Sequence, residues 1–318
     1  MKILIYGLGA IGSVYAGVLA GAGHQVWAWD VADVIEEIKN REVKITGILG
    51  SHTSCLEQIV SSVDQLDNRE FDLIMISVKA YDTKIAAQNI KSLLSKNNYV
   101  ILGQNGYGNY EAASEAIPKE NLIVARIIFG AETLRPGQAR VTVIADDVTI
   151  GNPDKLIDEQ KLEELAAIIS AAGVPTKTVP DIMKSLWGKI LYNSVLNPLG
   201  AILEVNYGAL AADPGICSIM EQLIDEIFAV LKAEGQEMDW RSAEDYKSYF
   251  HRKLMPSTGG HFPSMLYDIK NSRRTEIDAL NGAVSYLGAK HHVATPANDM
   301  VIKLLKAKEQ MALKLAER

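Results

Sequence analysis

The sequence predicts an α/β fold, an N-terminal Rossmann-type doubly wound sheet followed by a C-terminal all-α domain. Three observations lead there: a glycine-rich loop between a strand and a helix near the N-terminus, alternating apolar strands and helices up to about residue 180, and nearly continuous helix afterwards. A chain of 318 residues, 48% of them hydrophobic, is long enough for two separate cores. The expected boundary divides a dinucleotide-binding domain, 1–180, from a helical substrate domain, 181–318.

Lys2-Ile3-Leu4-Ile5-Tyr6 has strand composition and stops at Gly7-Leu8-Gly9-Ala10-Ile11-Gly12, a GxGxxG that opens a helix running to about Ala22. Gly23-His24 then turns the chain into a second strand, 25–29, that ends at Asp30. A secretory leader is the competing interpretation of an early lysine before an apolar stretch, but one positive charge and a glycine cluster fit the strand better. In this strand–loop–helix setting the glycines allow a tight turn, and a pyrophosphate can approach backbone N–H groups at the helix N-terminus. Asp30 is placed to accept hydrogen bonds from an adenosine ribose diol and to repel a 2′-phosphate. Val31 and Ala32 bring no arginine beside it, which favours NADH over NADPH, although Lys39 or Arg41 could fold back.

The alternation continues with an apolar run at 71–78, followed by Lys79, and another at 99–103, followed by Gln104-Asn105-Gly106. Ligands of open α/β sheets bind outside the carboxyl ends of the strands, the zone that Lys79 and Asn105 occupy. As loop residues they also have the ordinary readings of a solvated lysine and an Asn-Gly turn. Strands at 121–125, 127–129, 141–144 and 148–151, with a turn at Arg135-Pro136-Gly137, read as sheet edge and hairpins. A helix over 157–172 and a strand at 176–179 complete the domain. Helices follow at 181–203, 213–235, 243–253, 276–290 and 296–316, with a breaker-rich loop at 255–264.

Within the helix at 181–203, Lys189, Asn193 and Asn197 stand four residues apart in an otherwise apolar run. Each step of four turns only about 40° around the axis, so the three share one face. An ammonium among apolar residues needs partners or a lowered pKa, which suits a general acid.

Composition narrows the partners. The net charge of −7, with no basic cluster, argues against nucleic acid and for a small-molecule substrate. Two cysteines, Cys55 and Cys217, stand in neither metal-like nor redox-like spacing, which points to a reducing, cytoplasmic setting. His291 and His292 are adjacent and read as surface residues, so no metal is expected. No membrane-length apolar segment occurs, and the amphipathic C-terminal helices could support a homodimer.

The GxGxxG, Ser-Val-Lys-Ala-Tyr-Asp at 77–82, Gln-Asn-Gly at 104–106, the 187–198 helix and Thr-Glu-Ile-Asp-Ala-Leu-Asn-Gly at 275–282 occur in an order that resembles the ketopantoate reductase (2-dehydropantoate 2-reductase) family over nearly the whole chain. The resemblance implies reduction of 2-dehydropantoate to (R)-pantoate, in pantothenate and hence coenzyme A synthesis, in a cleft between the two domains. It implies Lys189 as the proton donor to the carbonyl oxygen and Glu276 as the ligand of the substrate hydroxyl. Asn193 and Asn197 become substrate-side asparagines, Asn105 lies near nicotinamide and the reacting carbonyl, Ser264 contacts the substrate carboxylate, and Lys79 lies beside the cofactor. Bland alternatives are a helix-start carboxylate for Glu276 and an N-cap for Ser264.

Two departures stand out. The family usually prefers NADPH, with a basic residue after the second strand, where this chain has Asp30-Val31. Many members carry an asparagine beyond the catalytic helix where this chain has Tyr207, with Asn206 one residue early. Tyr207 adds bulk and removes an amide, which bears on the substrate more than on the reaction. Another branched 2-keto acid is the alternative substrate. A dinucleotide-binding sensor without turnover is the alternative from another class, disfavoured by the presence of both Lys189 and Glu276.

Overall fold

A computed structural model describes residues 1–316; residues 317 and 318, the last of the expected helical domain, lie outside the described residues. The chain forms two compact units, Met1–Ile182 and Met183–Arg318.

In the first unit the strands are β1 (Lys2–Tyr6), β2 (Gln25–Trp29), β3 (Glu42–Gly47), β4 (His52–Cys55), β5 (Gln58–Val60), β6 (Leu73–Ile76), β7 (Tyr99–Leu102), β8 (Leu122–Arg126), β9 (Phe129–Arg135), β10 (Gln138–Ile144), β11 (Val148–Gly151) and β12 (Thr176–Thr178). Eight of them form one sheet in the order β12-β11-β8-β7-β6-β1-β2-β5. Its neighbours are parallel except that β11 runs antiparallel to β8. The chain fills this sheet from β1 outward through β2 to β5, then returns to the other side of β1 with β6. The loops after β1 and β6 therefore diverge at a topological switch point, where open sheets bind ligands. The central strands are apolar along their whole length because both faces are covered, and all four residues of β6 are buried.

A second sheet, β4-β3-β10-β9, differs from the expectation of hairpins at the edge of the main sheet. One of its two inner strands, β3, alternates, with Val43 and Ile45 buried and Glu42 and Lys44 exposed, so it was too polar to stand out in the sequence. The Ala10–Gly21 helix lies against it, and a Cβ on Gly17 would come within 2.6 Å of the Ile45 side chain.

The second unit comprises helices Ile182–Leu203, Tyr207–Ala212, Pro214–Glu234, Ala243–Tyr249, Met255–Thr258, Ser264–Lys270, Asn281–Lys290 and Pro296–Ala316. Ile182–Leu203 is apolar nearly all round, and Leu186, Trp187, Ile190, Leu191, Val195 and Leu196 are all buried, as in a helix at the centre of its unit. Two expectations need correction. The loop over 255–264 is shorter, because a π-helical turn at Phe250–Leu254 leads directly into Met255–Thr258 and absorbs the ladder defect around Pro256. The helix expected from 276 begins at Asn281, after a 3₁₀ turn at Ile277–Ala279. The helices Tyr207–Ala212 and Ser264–Lys270 have too few turns to show a helical period in the sequence. Among the described residues no helix is long and apolar enough to cross a membrane.

Gly47 ends β3 and pairs with Val141 of β10. It has φ +99°, and a Cβ there would sit 2.0 Å from the Val141 carbonyl oxygen. Gly47→Ala should lower stability by at least about 1 kcal/mol, read as a lower midpoint in urea. An unchanged midpoint would contradict the close approach.

Candidate active site

The glycine loop is set by contacts with the start of the 77–82 motif. Gly7 has φ +104°, and a Cβ there would press on Val78 and the Ser77 carbonyl carbon. A Cβ on Gly12 would lie 1.8 Å from the Gly7 carbonyl oxygen and 2.5 Å from Ser77 Oγ. Ser77 Oγ donates to the Gly7 carbonyl at 2.8 Å and so ties the end of β6 to the loop after β1. Gly9 differs, since its φ of −64° suits any residue and a Cβ there would meet nothing within 4 Å. The protein's own packing does not require glycine at this position, which leaves its surface open to close approach from outside. The helix that begins at Ala10 has no acidic residue in its first turn to oppose an anion.

Asp30 closes the same site. Its Oδ2 accepts the Leu8 N–H at 2.5 Å and its Oδ1 accepts the Val31 N–H at 2.7 Å. Burial raises its pKa above the ordinary carboxylate value, and these two hydrogen bonds pull the other way. Each oxygen retains a lone pair for a further donor. Val31, the next residue, is apolar and 52% exposed. Arg41 does not fold back, because its guanidinium donates to the Glu57 carbonyl oxygen. The side chain of Lys39 lies outside the described residues.

Lys79 and Asn105, both half-buried, follow the carboxyl ends of neighbouring parallel strands, β6 and β7. Asn109 Nδ2 donates to the carbonyls of Asn105 and Gly106 at 3.0 and 3.1 Å. Thr83 Oγ1 donates to Asn109 Oδ1 at 2.8 Å and accepts from Gln104 Nε2 at 2.9 Å. This buried network shapes the Asn105 loop. The four N-terminal candidates, the glycine loop, Asp30, Lys79 and Asn105, thus share one edge of one sheet.

In the helical unit, Lys189, Asn193 and Asn197 lie on one face of Ile182–Leu203, half-buried at the first two positions and buried at Asn197. Asn197 Oδ1 accepts the Tyr207 hydroxyl at 2.9 Å. Pro198 has no N–H for the carbonyl of Ser194, one turn earlier in the helix, and Asn281 Nδ2 donates to that carbonyl at 2.9 Å instead. Asn281 Nδ2 also donates to Asn298 Oδ1 at 2.9 Å, and Asn298 Nδ2 donates to Glu226 at 2.8 Å.

Glu276, 7% exposed, precedes the Ile277–Ala279 turn, five residues before Asn281. On its other side, Thr275 donates its N–H and its hydroxyl to Glu309 at 2.7 and 2.8 Å. Ser264 is exposed and is the first residue of its helix, not the cap, which is Pro263. Pro263 packs where a Cβ on Gly200 would come within 2.9 Å, one turn past Asn197. Asn206 is the N-cap of Tyr207–Ala212, its side chain accepting from Ala209 N–H at 3.0 Å. His291 is half-buried and pairs with Glu234, so it is more than a surface residue.

Asn281, Asn109, Ser77 and Glu309 were not singled out from sequence, although three of them lie in or beside the motifs. A proline inside an apolar helix was the available signal for Asn281, since it orphans a carbonyl that some donor must satisfy.

The model of the family described as ketopantoate reductase PanE/ApbA matches residues 3–155, and that of its C-terminal part matches residues 181–309. A 2-dehydropantoate 2-reductase of Aquifex aeolicus (strain VF5) is 44% identical over 316 residues, 99% of each chain. One from Lactococcus lactis subsp. lactis (strain IL1403) is 30% identical over 98% of this chain and 99% of the relative. Among solved structures, a D-mandelate dehydrogenase with NADH and anilino(oxo)acetate superposes with a TM-score of 0.87 at 30% identity, over 98% of this chain and 99% of the other. By these matches over both units, the chain belongs to the ketopantoate reductase family.

Proposed function

We propose that this protein reduces 2-dehydropantoate to (R)-pantoate with a nicotinamide dinucleotide, NADH in preference to NADPH, as a step toward pantothenate. Residues 1–180 take the dinucleotide and residues 181–318 the keto acid. The observation that carries the proposal is the bond from Asn281 to the Ser194 carbonyl. It fastens the segment that carries buried Glu276 to the middle of the helix that carries Lys189, Asn193 and Asn197, so both specific C-terminal motifs belong to one construction. The identity to named 2-dehydropantoate 2-reductases supports the choice of keto acid.

The Gly7–Gly12 loop and the helix N-terminus behind it would hold the pyrophosphate, and Asp30 the ribose diol, with Lys79 and Asn105 toward the nicotinamide end. A reduced nicotinamide held there would supply the hydride for the carbonyl carbon. Negative charge then develops on the carbonyl oxygen as its π bond breaks. The Lys189 ammonium stabilises that charge and gives the oxygen its proton, and neutral lysine recovers one from water. Asn193 and Asn197 fix the keto acid, Glu276 accepts the hydroxyl at the far end of the substrate, and exposed Ser264 meets its carboxylate. Glu276 is 7% exposed, so a substrate lacking the hydroxyl would forgo a charge-assisted hydrogen bond made away from bulk water. A reducing compartment such as the cytoplasm suits the two free thiols.

A different 2-keto acid is the second reading, favoured by Tyr207 and by the likeness to a D-mandelate dehydrogenase. A reductase assay over a panel of 2-keto acids, each with both cofactors, separates the two. 2-Dehydropantoate should show the highest kcat/KM, and a higher value for an acid without the hydroxyl would assign the second reading.

Lys189→Ala should lower turnover roughly 100- to 10,000-fold while NADH still binds, measured by single-turnover kinetics and cofactor fluorescence. Unchanged turnover would remove Lys189 from proton transfer. With wild-type protein, kcat/KM for NADH should exceed that for NADPH, whereas a strong preference for NADPH would overturn the role given to Asp30. Glu276→Ala should act chiefly on the substrate, lowering kcat/KM for 2-dehydropantoate by about tenfold or more. If that variant lost nothing against 2-dehydropantoate, Glu276 would not be its hydroxyl ligand.

A further inference from the structure

Tyr207 opens the Tyr207–Ala212 helix, and its hydroxyl is not idle. The ring is 1% exposed, and its oxygen lies 2.9 Å from Asn197 Oδ1. Burial pushes the phenol pKa well above its ordinary value, so the hydroxyl keeps its proton and is available to donate. The ring is itself held from several sides. It meets Tyr192 edge-on, with centroids 6.0 Å apart, and lies against His261 at 5.3 Å. Its backbone N–H donates to the His261 carbonyl at 3.0 Å, and the next N–H, of Gly208, donates to the Gly259 carbonyl at 2.7 Å. A ring clamped in this way offers its hydroxyl at a fixed point.

A carboxamide has one accepting end and one donating end, and a half-turn about its last torsion exchanges them. Asn197, itself buried, stands one turn beyond Asn193 on the lysine helix. We infer that Tyr207 is a positioning residue: by occupying the Oδ1 end of Asn197, it commits the Nδ2 end to the substrate and so selects an oxygen acceptor there. The inference rests on the proposed role of Asn197 as a substrate-side residue. A 2-keto acid presents only acceptors at its carboxylate and carbonyl, so a flipped amide would set oxygen against oxygen. An asparagine at this place would offer the substrate an amide of its own; tyrosine acts through its neighbour.

The test compares the wild-type enzyme with Tyr207→Phe, Asn197→Ala and the double variant, in steady state with 2-dehydropantoate and saturating dinucleotide. Tyr207→Phe should raise KM for the keto acid about tenfold, with kcat changed less than about threefold and the KM for dinucleotide unmoved. Asn197→Ala should raise KM at least as much, and adding Tyr207→Phe to it should change KM by less than about twofold, because the hydroxyl would have nothing left to orient. A purely structural Tyr207 would instead lower kcat and both KM-dependent terms together, and its effect would persist in the Asn197→Ala background.

The outcomes separate the layers. If wild-type enzyme reduces no 2-keto acid, the proposed function fails. If it does and Asn197→Ala leaves KM unchanged, the role of Asn197 fails and this inference with it. If Asn197→Ala raises KM and Tyr207→Phe does not, this inference alone is overturned. Should Tyr207→Phe not fold, the side-chain N–H pair of Asn197 in ¹⁵N-labelled wild-type protein decides, assigned by its loss in Asn197→Ala. It should shift when 2-dehydropantoate is added together with the oxidised dinucleotide, and an unmoved pair would overturn the inference.

Discussion

The helical unit is organised around a hydrogen bond that a regular helix would have made by itself. Pro198 cannot give the Ser194 carbonyl a backbone donor, and an orphaned buried carbonyl costs on the order of 1–3 kcal/mol. Asn281 supplies the donor from 87 residues away, and its second proton goes to Asn298. Asn298 hands on to Glu226, which also accepts the N–H groups of Ala297 and Asn298 at the start of the Pro296–Ala316 helix. A defect in one helix thus fixes its registration against three others. Glu276 lies between this anchor and a second one, where Glu309 grips Thr275. A buried carboxylate needs a rigid backbone if it is to recognise one hydroxyl, and these two clamps provide it.

The dinucleotide half follows the same economy with different parts. Gly7 is crowded by Ser77 and Val78 just after β6, Gly12 by the Gly7 carbonyl and Ser77 Oγ, and Ser77 turns that crowding into a hydrogen bond. Gly9 alone faces open space. Beside it the Asn105 loop is carved by a side-chain chain of Gln104, Thr83 and Asn109, so its shape depends on residues outside the strand–loop pattern. In both units the groups with proposed chemical roles are held by amides and hydroxyls that bond to backbone.

Features with a period or a fixed local context were legible in the sequence. The β1–loop–helix–β2 segment, the apolar runs of β6 and β7 and the lysine–asparagine face of Ile182–Leu203 all stand where periodicity put them. The second sheet was hidden because β3 and β4 are half polar, and because β3 pairs in parallel with β10, far along the chain. The short helix at Tyr207 was hidden because six residues cannot display an amphipathic period. Asn281 and Glu309 were hidden for another reason: side-chain to backbone bonds across 87 and 34 residues leave no local trace. Tyr207 was visible as a departure, but its bond to Asn197 was not.

Asp30 has a consequence for anyone redesigning the cofactor preference. The carboxylate proposed to meet the ribose also caps the Leu8 N–H inside the glycine loop, with the Val31 N–H on its other oxygen. Recognition and scaffold are therefore carried by the same two atoms. Under the proposed role, exchanging Asp30 for a basic residue would remove repulsion toward a phosphorylated ribose and at the same stroke unhook the loop proposed to hold the pyrophosphate. A switch of specificity has to leave an acceptor at position 30 and bring its positive charge from position 31, whose side chain already points to solvent.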